Sequence, residues 1–175
     1  MIERPADKEY APFFAGYVAL VTEPDVMGIL GNQPAELTEL AGRVSAERER
    51  FRYADGKWSI REVFGHLVDA DRVFGHRAFC IGRGEQAALP GFEENQYVAL
   101  SHYDERTLAE LATEFTAVRK ANLIFLDALD DEASARTGVA NNNPVSVRAL
   151  AFIMAGHLRH HFSMLRSRYG VSAGI

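Results

Sequence analysis

Several features that would assign the chain to a particular class are scarce or missing. The sequence contains a single cysteine, Cys80, so it can form no internal disulfide, which is typical of a reducing compartment. The apolar run from Pro12 to Val21 is too short to cross a bilayer. Acidic residues precede this run, unlike the basic start of a signal peptide. We therefore expect a cytoplasmic protein with no membrane partner.

The chain also lacks an excess of basic residues. It has 19 Lys and Arg against 24 Asp and Glu, giving a formal net charge of -5 at pH 7. No basic stripe with interleaved aromatic residues is present, so nucleic acid is not an expected partner. No segment alternates with period two for long enough to predict a strand, and there is no internal repeat. With 175 residues, 47% of them hydrophobic, the chain fits one globular domain.

What the sequence does contain is helical periodicity, in which apolar residues recur at about 100° per residue. Ser59 and Glu62 have the spacing of a capping box at a helix start, and Gly170 is a natural helix stop. The predicted helices cover residues 10–22, residues 26–44 with a kink or restart near Pro34, residues 59–81, residues 105–129 and residues 146–169. These helices predict an all-α, up-and-down four-helix bundle with an extra short N-terminal helix.

The remaining segments are predicted to be connections and termini. We expect a loose N-terminal arm at residues 1–9, a single bundle domain at residues 10–170 and a C-terminal tail at residues 171–175. A long connection follows the helix that ends near residue 81, and loops of this length are often functional. Part of it, from Gly84 to Tyr97, is placed to cover the mouth of the bundle. Asn141 to Pro144 is predicted to be a turn.

Two histidines of the last helix lie on its apolar stripe. His157 and His161 are four residues apart, so both rings point to the same side as Met154 and Leu165. Polar rings are costly there unless something engages them. Packing and hydrogen bonds are one solution, and metal binding is the other. His66, on the flank of a facing helix, favours metal, because three neutral imidazoles leave a divalent cation with an open position, as in catalytic zinc sites.

Other polar groups also fall on inward helix faces. Asp71 and Arg119 lie near the centres of their stripes, so we predict that they pair across the interior and orient a metal-binding imidazole. A partly exposed ion pair near a helix end is the alternative. Asn122 shares the stripe of Arg119, and we assign catalytic roles to all three residues. His160 is expected beside the site or on the surface, and the apolar neighbours of Cys80 favour an inert core cysteine over a reactive thiol.

Four segments together resemble a known family, the DinB-like (DinB/YfiT) superfamily of four-helix-bundle metal-dependent proteins. The similarity covers nearly all of the chain beyond the N-terminal arm. The resemblance implies that His66, His157 and His161 hold a divalent metal ion, zinc or nickel, and that the protein is a homodimer. The segments that carry it are Lys57 to Leu67, Leu89 to Phe92, Asn143 to Leu150 and Gly156 to His161.

The resemblance leaves three functions open. Relatives include bacillithiol S-transferases and mycothiol-dependent maleylpyruvate isomerases, so the leading hypothesis is a metal-dependent transferase that adds a low-molecular-weight thiol to an electrophilic small molecule. A divalent cation favours the ionised form of such a thiol cosubstrate. A metal-dependent hydrolase would instead need a general base, for which Asp71, Glu94 or His160 are available. A non-enzymatic metal- or ligand-binding stress-response protein would have a fourth protein ligand.

Overall fold

The computed structural model describes residues 2–171. Within them lie seven α-helices and one two-stranded hairpin, together with short 3-10 turns at Asp7–Glu9, Pro12–Phe14 and Tyr103–Glu105. The elements in chain order are α1 (Ala15–Ala19), α2 (Val26–Gly42), α3 (Ile60–Gly82), α4 (Glu94–Leu100), α5 (Leu108–Asp127), α6 (Asp131–Ala135), β1 (Thr137–Ala140), β2 (Asn143–Ser146) and α7 (Val147–Tyr169).

The four long helices α2, α3, α5 and α7 form the bundle, and the short helix α1 packs on α7. Each long helix packs against two others, so that α2 and α3 contact both α5 and α7. The predicted four-helix bundle with a short N-terminal helix is therefore confirmed. Within residues 2–171, no helix combines the length and the apolar character needed to cross a membrane.

The directions of the long helices differ from a strict up-and-down alternation. Asp71 on α3 bonds to Arg119 on α5, and further along both helices Gly82 lies against the ring of Phe125. Later residues of α3 contact later residues of α5, so the two helices run parallel. The long connection between them returns the chain to the start of α3, where Tyr103 packs against Gly65. Its length makes the parallel arrangement possible, as in other crossover bundles.

Helix α7 runs antiparallel to α3. The Tyr169 hydroxyl, near the end of α7, donates to the carbonyl of Trp58, just before α3, at 2.7 Å. Further into both helices, the rings of His157 and His66 meet, with centroids 5.0 Å apart. This direction brings the middle of α7, where the two histidines lie, against the first half of α3.

Local sequence signals explain the helix ends. The Glu62 N–H donates to Ser59 Oγ at 3.1 Å, and the Ser59 N–H donates to Glu62 Oε2 at 2.7 Å, which completes the predicted capping box. Thr107 and Glu110 form an equivalent box at the start of α5. Gly170 takes a left-handed φ of 64° after α7, as expected for a helix stop.

Of the predicted kink or restart near Pro34, the restart is wrong, because α2 is one continuous helix. A proline within a helix removes the hydrogen bond to the carbonyl four residues earlier, here that of Leu30. That carbonyl accepts a hydrogen bond from Arg119 Nη1 at 3.4 Å instead. A side chain from α5 thus partly replaces the donor that proline lacks.

The prediction that the chain has no strands is also wrong. Strands β1 and β2 pair in antiparallel register, with Ala140 opposite Asn143. Asn141 and Asn142 make the two-residue turn at φ values of 49° and 60°, which asparagine tolerates better than most residues. Strands of only four residues give too little alternation to be recognised. In addition, Pro144 in the second strand is a residue that strands rarely contain.

The N-terminal segment is not the loose arm that we expected. Glu9 is buried, and its carboxylate accepts hydrogen bonds from Ser146 Oγ at 2.7 Å and from Arg148 Nε at 2.7 Å. Arg4 Nη2 donates to the carbonyl of Val18 at 3.0 Å. Specific polar bonds, which periodicity does not reveal, hold this segment on α7 and α1. Most of the predicted C-terminal tail, residues 172–175, lies outside the described residues.

Candidate metal centre

The three predicted histidine ligands come together in the interior of the bundle. His157 Nε2 lies 3.1 Å from His66 Nε2 and 3.1 Å from His161 Nε2. All three side chains are buried, and one ring nitrogen from each lies within 4.8 Å of the others. One turn of α7 supplies two of the rings and the facing helix α3 supplies the third. The arrangement could therefore hold a metal ion.

Hydrogen bonding alone accounts poorly for this cluster. A ring nitrogen offers either one hydrogen or one lone pair, yet His157 Nε2 has two close nitrogen neighbours. The Nδ1 atoms of His66 and His161 are buried and have no hydrogen-bond partner among the described residues. If Nδ1 carries the hydrogen in all three rings, three Nε2 lone pairs face a common point. A cation at that point would engage every one of them.

Burial keeps these imidazoles in the form that binds metal. Desolvation lowers the pKa of His66 to about 4. Desolvation, and then the charge of neighbouring imidazoles, lowers the pKa values of His157 and His161 well below the ordinary value. All three rings are therefore neutral near pH 7, as metal ligation requires.

Aromatic side chains surround the cluster. The Trp58 ring lies 4.8 Å from the His66 ring, and the Tyr17 ring lies edge-on to His157 at 5.3 Å, measured between centroids. Tyr17 reaches this position because residue 156 is glycine: a Cβ on Gly156 would lie 1.9 Å from the Tyr17 carbonyl oxygen. The glycine beside His157 thus admits another backbone.

Two cavities reach the three imidazoles. The first has a volume of about 180 Å³ and touches His66 and His157, and the second has a volume of about 200 Å³ and touches His161. The first is lined by aromatic residues together with Arg77, Glu94 and Asn141. The second is also lined by aromatic residues, together with Lys57, Glu94 and Asn95.

Glu94 lines both cavities. It lies in the first turn of α4, within the connection that was expected to cover the mouth of the bundle. Partial burial, and then the neighbouring Glu93 charge, raises the pKa of Glu94. The Glu94 charge in turn contributes to the raised pKa of Tyr17, after desolvation. Sequence analysis named Glu94 only as an available base, because nothing in the local pattern places α4 over the histidines.

Arg77 lines the first cavity and was missed by the sequence analysis. Its side chain is buried, with Nη2 donating to the Pro90 carbonyl at 2.8 Å. Arg77 follows His66 by eleven residues, about three helical turns, so both side chains share one face of α3. This spacing is the sequence signal that could have identified Arg77 as a residue near His66.

The predicted pair of Asp71 and Arg119 is present and fully buried. Arg119 Nη2 donates to Asp71 Oδ1 at 2.7 Å, and Nε donates to the same oxygen at 3.0 Å. Asn122 Nδ2 donates to Asp71 Oδ2 at 3.0 Å, while Arg119 Nη1 donates to Gln33 Oε1 at 2.6 Å. The structure therefore shows the buried pair and not the alternative of an exposed ion pair.

This network links helices and does not orient the imidazoles as expected. Gln33 Nε2 donates to the Ala155 carbonyl at 2.8 Å, so the network joins α2, α3, α5 and α7. None of the hydrogen bonds of Asp71, Arg119 and Asn122 reaches a histidine nitrogen, and none of the three residues lines either cavity. Their assignment to the reaction stays a prediction.

Two residues whose roles the sequence left open lie outside the cluster. His160 is exposed, with its ring 5.2 Å from that of His161 and 5.3 Å from that of Tyr17. Cys80 is half-buried, with Sγ 3.6 Å from His76 Nε2, and it lines neither cavity.

A buried three-histidine cluster between antiparallel helices of a four-helix bundle defines a class of candidate metal proteins. The sequence matches the DinB superfamily over residues 29–165, most of its length. The chain therefore belongs to the DinB superfamily, as its sequence motifs indicated. A search of curated proteins found no match.

The fold is similar to that of three solved structures. YfiT from Bacillus subtilis, described as a probable metal-dependent hydrolase with an unusual four-helix bundle topology, aligns with a TM-score of 0.75 and 19% identity over 84% of this chain and 87% of its own. A mycothiol-dependent maleylpyruvate isomerase aligns with a TM-score of 0.67 and 9% identity over 85% of this chain and 61% of its own. The DinB-like protein YjoA from Bacillus subtilis aligns with a TM-score of 0.59 and 20% identity over 86% of this chain and 94% of its own.

Proposed function

We propose that the protein is a divalent-metal-dependent transferase that adds a low-molecular-weight thiol to an electrophilic small molecule. The observation that carries this proposal is a pair of cavities at the histidine cluster. One cavity touches His66 and His157, and the other touches His161. A transfer between two organic molecules needs room for both. The fold shared with a mycothiol-dependent isomerase supports a thiol as one of them.

The metal ion, zinc or nickel, would be held by His66, His157 and His161. Among residues 2–171, no further His, Cys, Asp or Glu joins this group. A fourth protein ligand was the expected mark of a non-enzymatic binding protein, so its absence from the described residues favours an open coordination position. When bound, the cation supplies Lewis acidity that favours the ionised form of a thiol.

The side chains of the protein supply the remaining functions. Glu94 accepts the thiol proton, since it lines both cavities and its raised pKa brings it closer to the working pH. The aromatic walls made by residues such as Phe14 and Phe92 exclude water from the electrophile. Lys57 and Asn95, on the wall of the second cavity, offer polar groups that can bind a hydrophilic thiol.

Hydrolysis is the second candidate, and one feature of the site favours it. A carboxylate at the cavity that touches His66 and His157 could deprotonate water instead of a thiol, and Glu94 is in that place. The description of YfiT as a probable metal-dependent hydrolase fits this reading. Hydrolysis leaves the second cavity without a role, so we rank it below thiol transfer.

The test compares thiols and water as nucleophiles. Protein purified without an affinity tag is loaded with Zn²⁺ or Ni²⁺ and assayed with several cellular thiols against 1-chloro-2,4-dinitrobenzene, and in parallel with a panel of aryl esters. We expect thiol consumption that a chelator abolishes. Ester hydrolysis without thiol transfer would replace the proposal with the hydrolase.

Variants connect the activity to the cluster. His161→Ala should lose bound metal, measured by elemental analysis, while circular dichroism shows that most helicity remains. His102→Ala is the matched control, because that histidine is exposed and outside the cluster. Metal occupancy that survives His161→Ala would contradict the ligand assignment.

Two expectations accompany the proposed activity. We place the protein in the cytoplasm, where low-molecular-weight thiols are reduced, and we expect a homodimer, as the resemblance implied. Exposed apolar side chains such as Phe79 and Ile124 provide surface for a partner copy. Sedimentation equilibrium measures the mass directly, and a monomer at micromolar concentration would contradict the second expectation.

A further inference from the structure

Within residues 2–171, Arg77 is a buried cation without an acidic partner. The residue is only 5% exposed, and its one hydrogen bond to these residues goes to the Pro90 carbonyl. Its Nε atom is buried and has no hydrogen-bond partner among the described residues. Burial also lowers the pKa of the guanidinium, with no carboxylate to oppose the effect. A buried charge in this state is costly unless an anion is bound beside it.

The other deeply buried arginine shows what a satisfied guanidinium looks like in this protein. Arg119 is 1% exposed, and its nitrogens donate to Asp71, to Gln33 and to a backbone carbonyl. The fold therefore provides a full set of acceptors where an arginine has a structural role. Arg77 has only one acceptor in the described part of the chain, and its side chain lines a cavity.

The position of Arg77 is fixed by its hydrogen bond to the connection at Pro90. Its bonding partner Pro90 follows Leu89, whose N–H donates to the Val139 carbonyl at 2.8 Å. The Asn141 N–H donates back to the Leu89 carbonyl at 3.0 Å, so the connection is attached to the hairpin by two hydrogen bonds. A guanidinium held in this way needs little reorganisation to bind a ligand.

We infer that Arg77 binds a carboxylate of the electrophilic substrate, whose apolar part lies among the aromatic side chains of the first cavity. That the bound molecule is the electrophile follows from the proposed function. The existence of an anion site at Arg77 does not depend on that function. The planar guanidinium matches a carboxylate in two parallel hydrogen bonds. Glu94, on the same cavity, repels an anion, so the carboxylate is directed to Arg77 and the reacting carbon toward His66 and His157.

Binding of three small aromatic probes tests the inference directly. Benzoate carries the carboxylate, benzamide is its neutral isostere, and phenyl phosphate carries a different anion. Calorimetry measures their affinities for metal-loaded and for chelated protein. We expect benzoate to bind at least ten times more tightly than benzamide in both forms, because Arg77 is not a metal ligand.

Variants test whether Arg77 causes the preference for benzoate over benzamide. Arg77→Met should remove the preference for benzoate, and Arg77→Lys should retain part of it, since the charge remains but the planar fork is lost. Arg136→Met is the matched control, because Arg136 also donates to a backbone carbonyl, that of Gly82 at 2.7 Å, but lines neither cavity. Circular dichroism confirms folding, and Arg77→Lys gives the result if Arg77→Met does not fold.

The outcomes separate this inference from the proposed function. Equal binding of benzoate and benzamide, a preference that survives in Arg77→Met, or binding of phenyl phosphate without benzoate would each overturn it. A preserved preference without any thiol turnover would support the carboxylate site and reject only the transferase. Thiol turnover without a carboxylate preference would support the transferase and reject the carboxylate site.

Discussion

Replacing Asp71 with asparagine tests whether the buried network supports the fold or the chemistry. Asp71→Asn keeps the shape of the side chain but removes the charge that faces Arg119, whose side chain is only 2% exposed. Breaking one partner of a buried ion pair costs about 3–5 kcal/mol, because the other charge stays buried without compensation. Such a loss is a large share of the roughly 5–15 kcal/mol that stabilises a typical domain.

Urea unfolding measures this loss, and elemental analysis of the folded protein measures the metal. We expect the free energy of unfolding to fall by about 4 kcal/mol and metal occupancy to remain unchanged, since no hydrogen bond of Asp71 reaches a histidine. Arg72→Gln is the control. That arginine is 54% exposed and pairs with Glu114, so its loss should cost at most about 1 kcal/mol.

Two results would refute this reasoning. A loss below about 1 kcal/mol would mean that the pair contributes no more than an exposed one. Unchanged stability with lost turnover would instead place Asp71 in the reaction, as the sequence analysis first assigned it.

Three further predictions follow from other contacts. Hydrogen bonds from Arg148 lower the pKa of Glu9 to about 2 from 4.5, so its ionised form stabilises the fold by about 3 kcal/mol above pH 4.5, and this contribution is lost as the pH falls toward 2. Urea titrations at pH 7 and pH 3 should therefore show a smaller pH effect for Glu9→Gln than for the unmodified protein. Gly156→Ala places a methyl group against the Tyr17 carbonyl and should cost about 1–3 kcal/mol in chemical denaturation. Gly31→Ala has free space at its Cβ and should stabilise α2 by about 0.5–1 kcal/mol.

Each of these predictions can fail. An equal pH dependence in Glu9→Gln would show that its bonds to α7 contribute nothing. Equal stability of the two glycine variants would show that α1 moves away from α7 without cost.

The sequence predicted the parts of the fold that depend on neighbours along the chain. Ser59 and Glu62 identified the start of α3, and the four-residue spacing of His157 and His161 placed both rings on one face. Bonds between distant segments were not predictable in the same way. The replacement donor for Pro34 comes from Arg119, 85 positions away, and nothing near Pro34 indicates it.

The candidate site shows the same division. The three histidines were identified because two share a helical face and the third, His66, lies in the recognisable segment from Lys57 to Leu67. Glu94 and Arg77 depend on how α4 and the hairpin fold over the bundle, and that arrangement follows from tertiary contacts such as the one between Leu89 and Val139. The clustering of the three histidines was thus predictable from the sequence, and the cavity walls around them were not.

The hairpin with its Asn141-Asn142 turn has a consequence for how such a protein could diversify. It carries part of one cavity wall and anchors the connection that holds Arg77, but it contributes none of the three clustered histidines. Lengthening or recomposing that turn would change which molecules are accepted while the helices that position the imidazoles stay intact. Under the proposed function, selectivity and reactivity would be encoded in separate parts of one small chain.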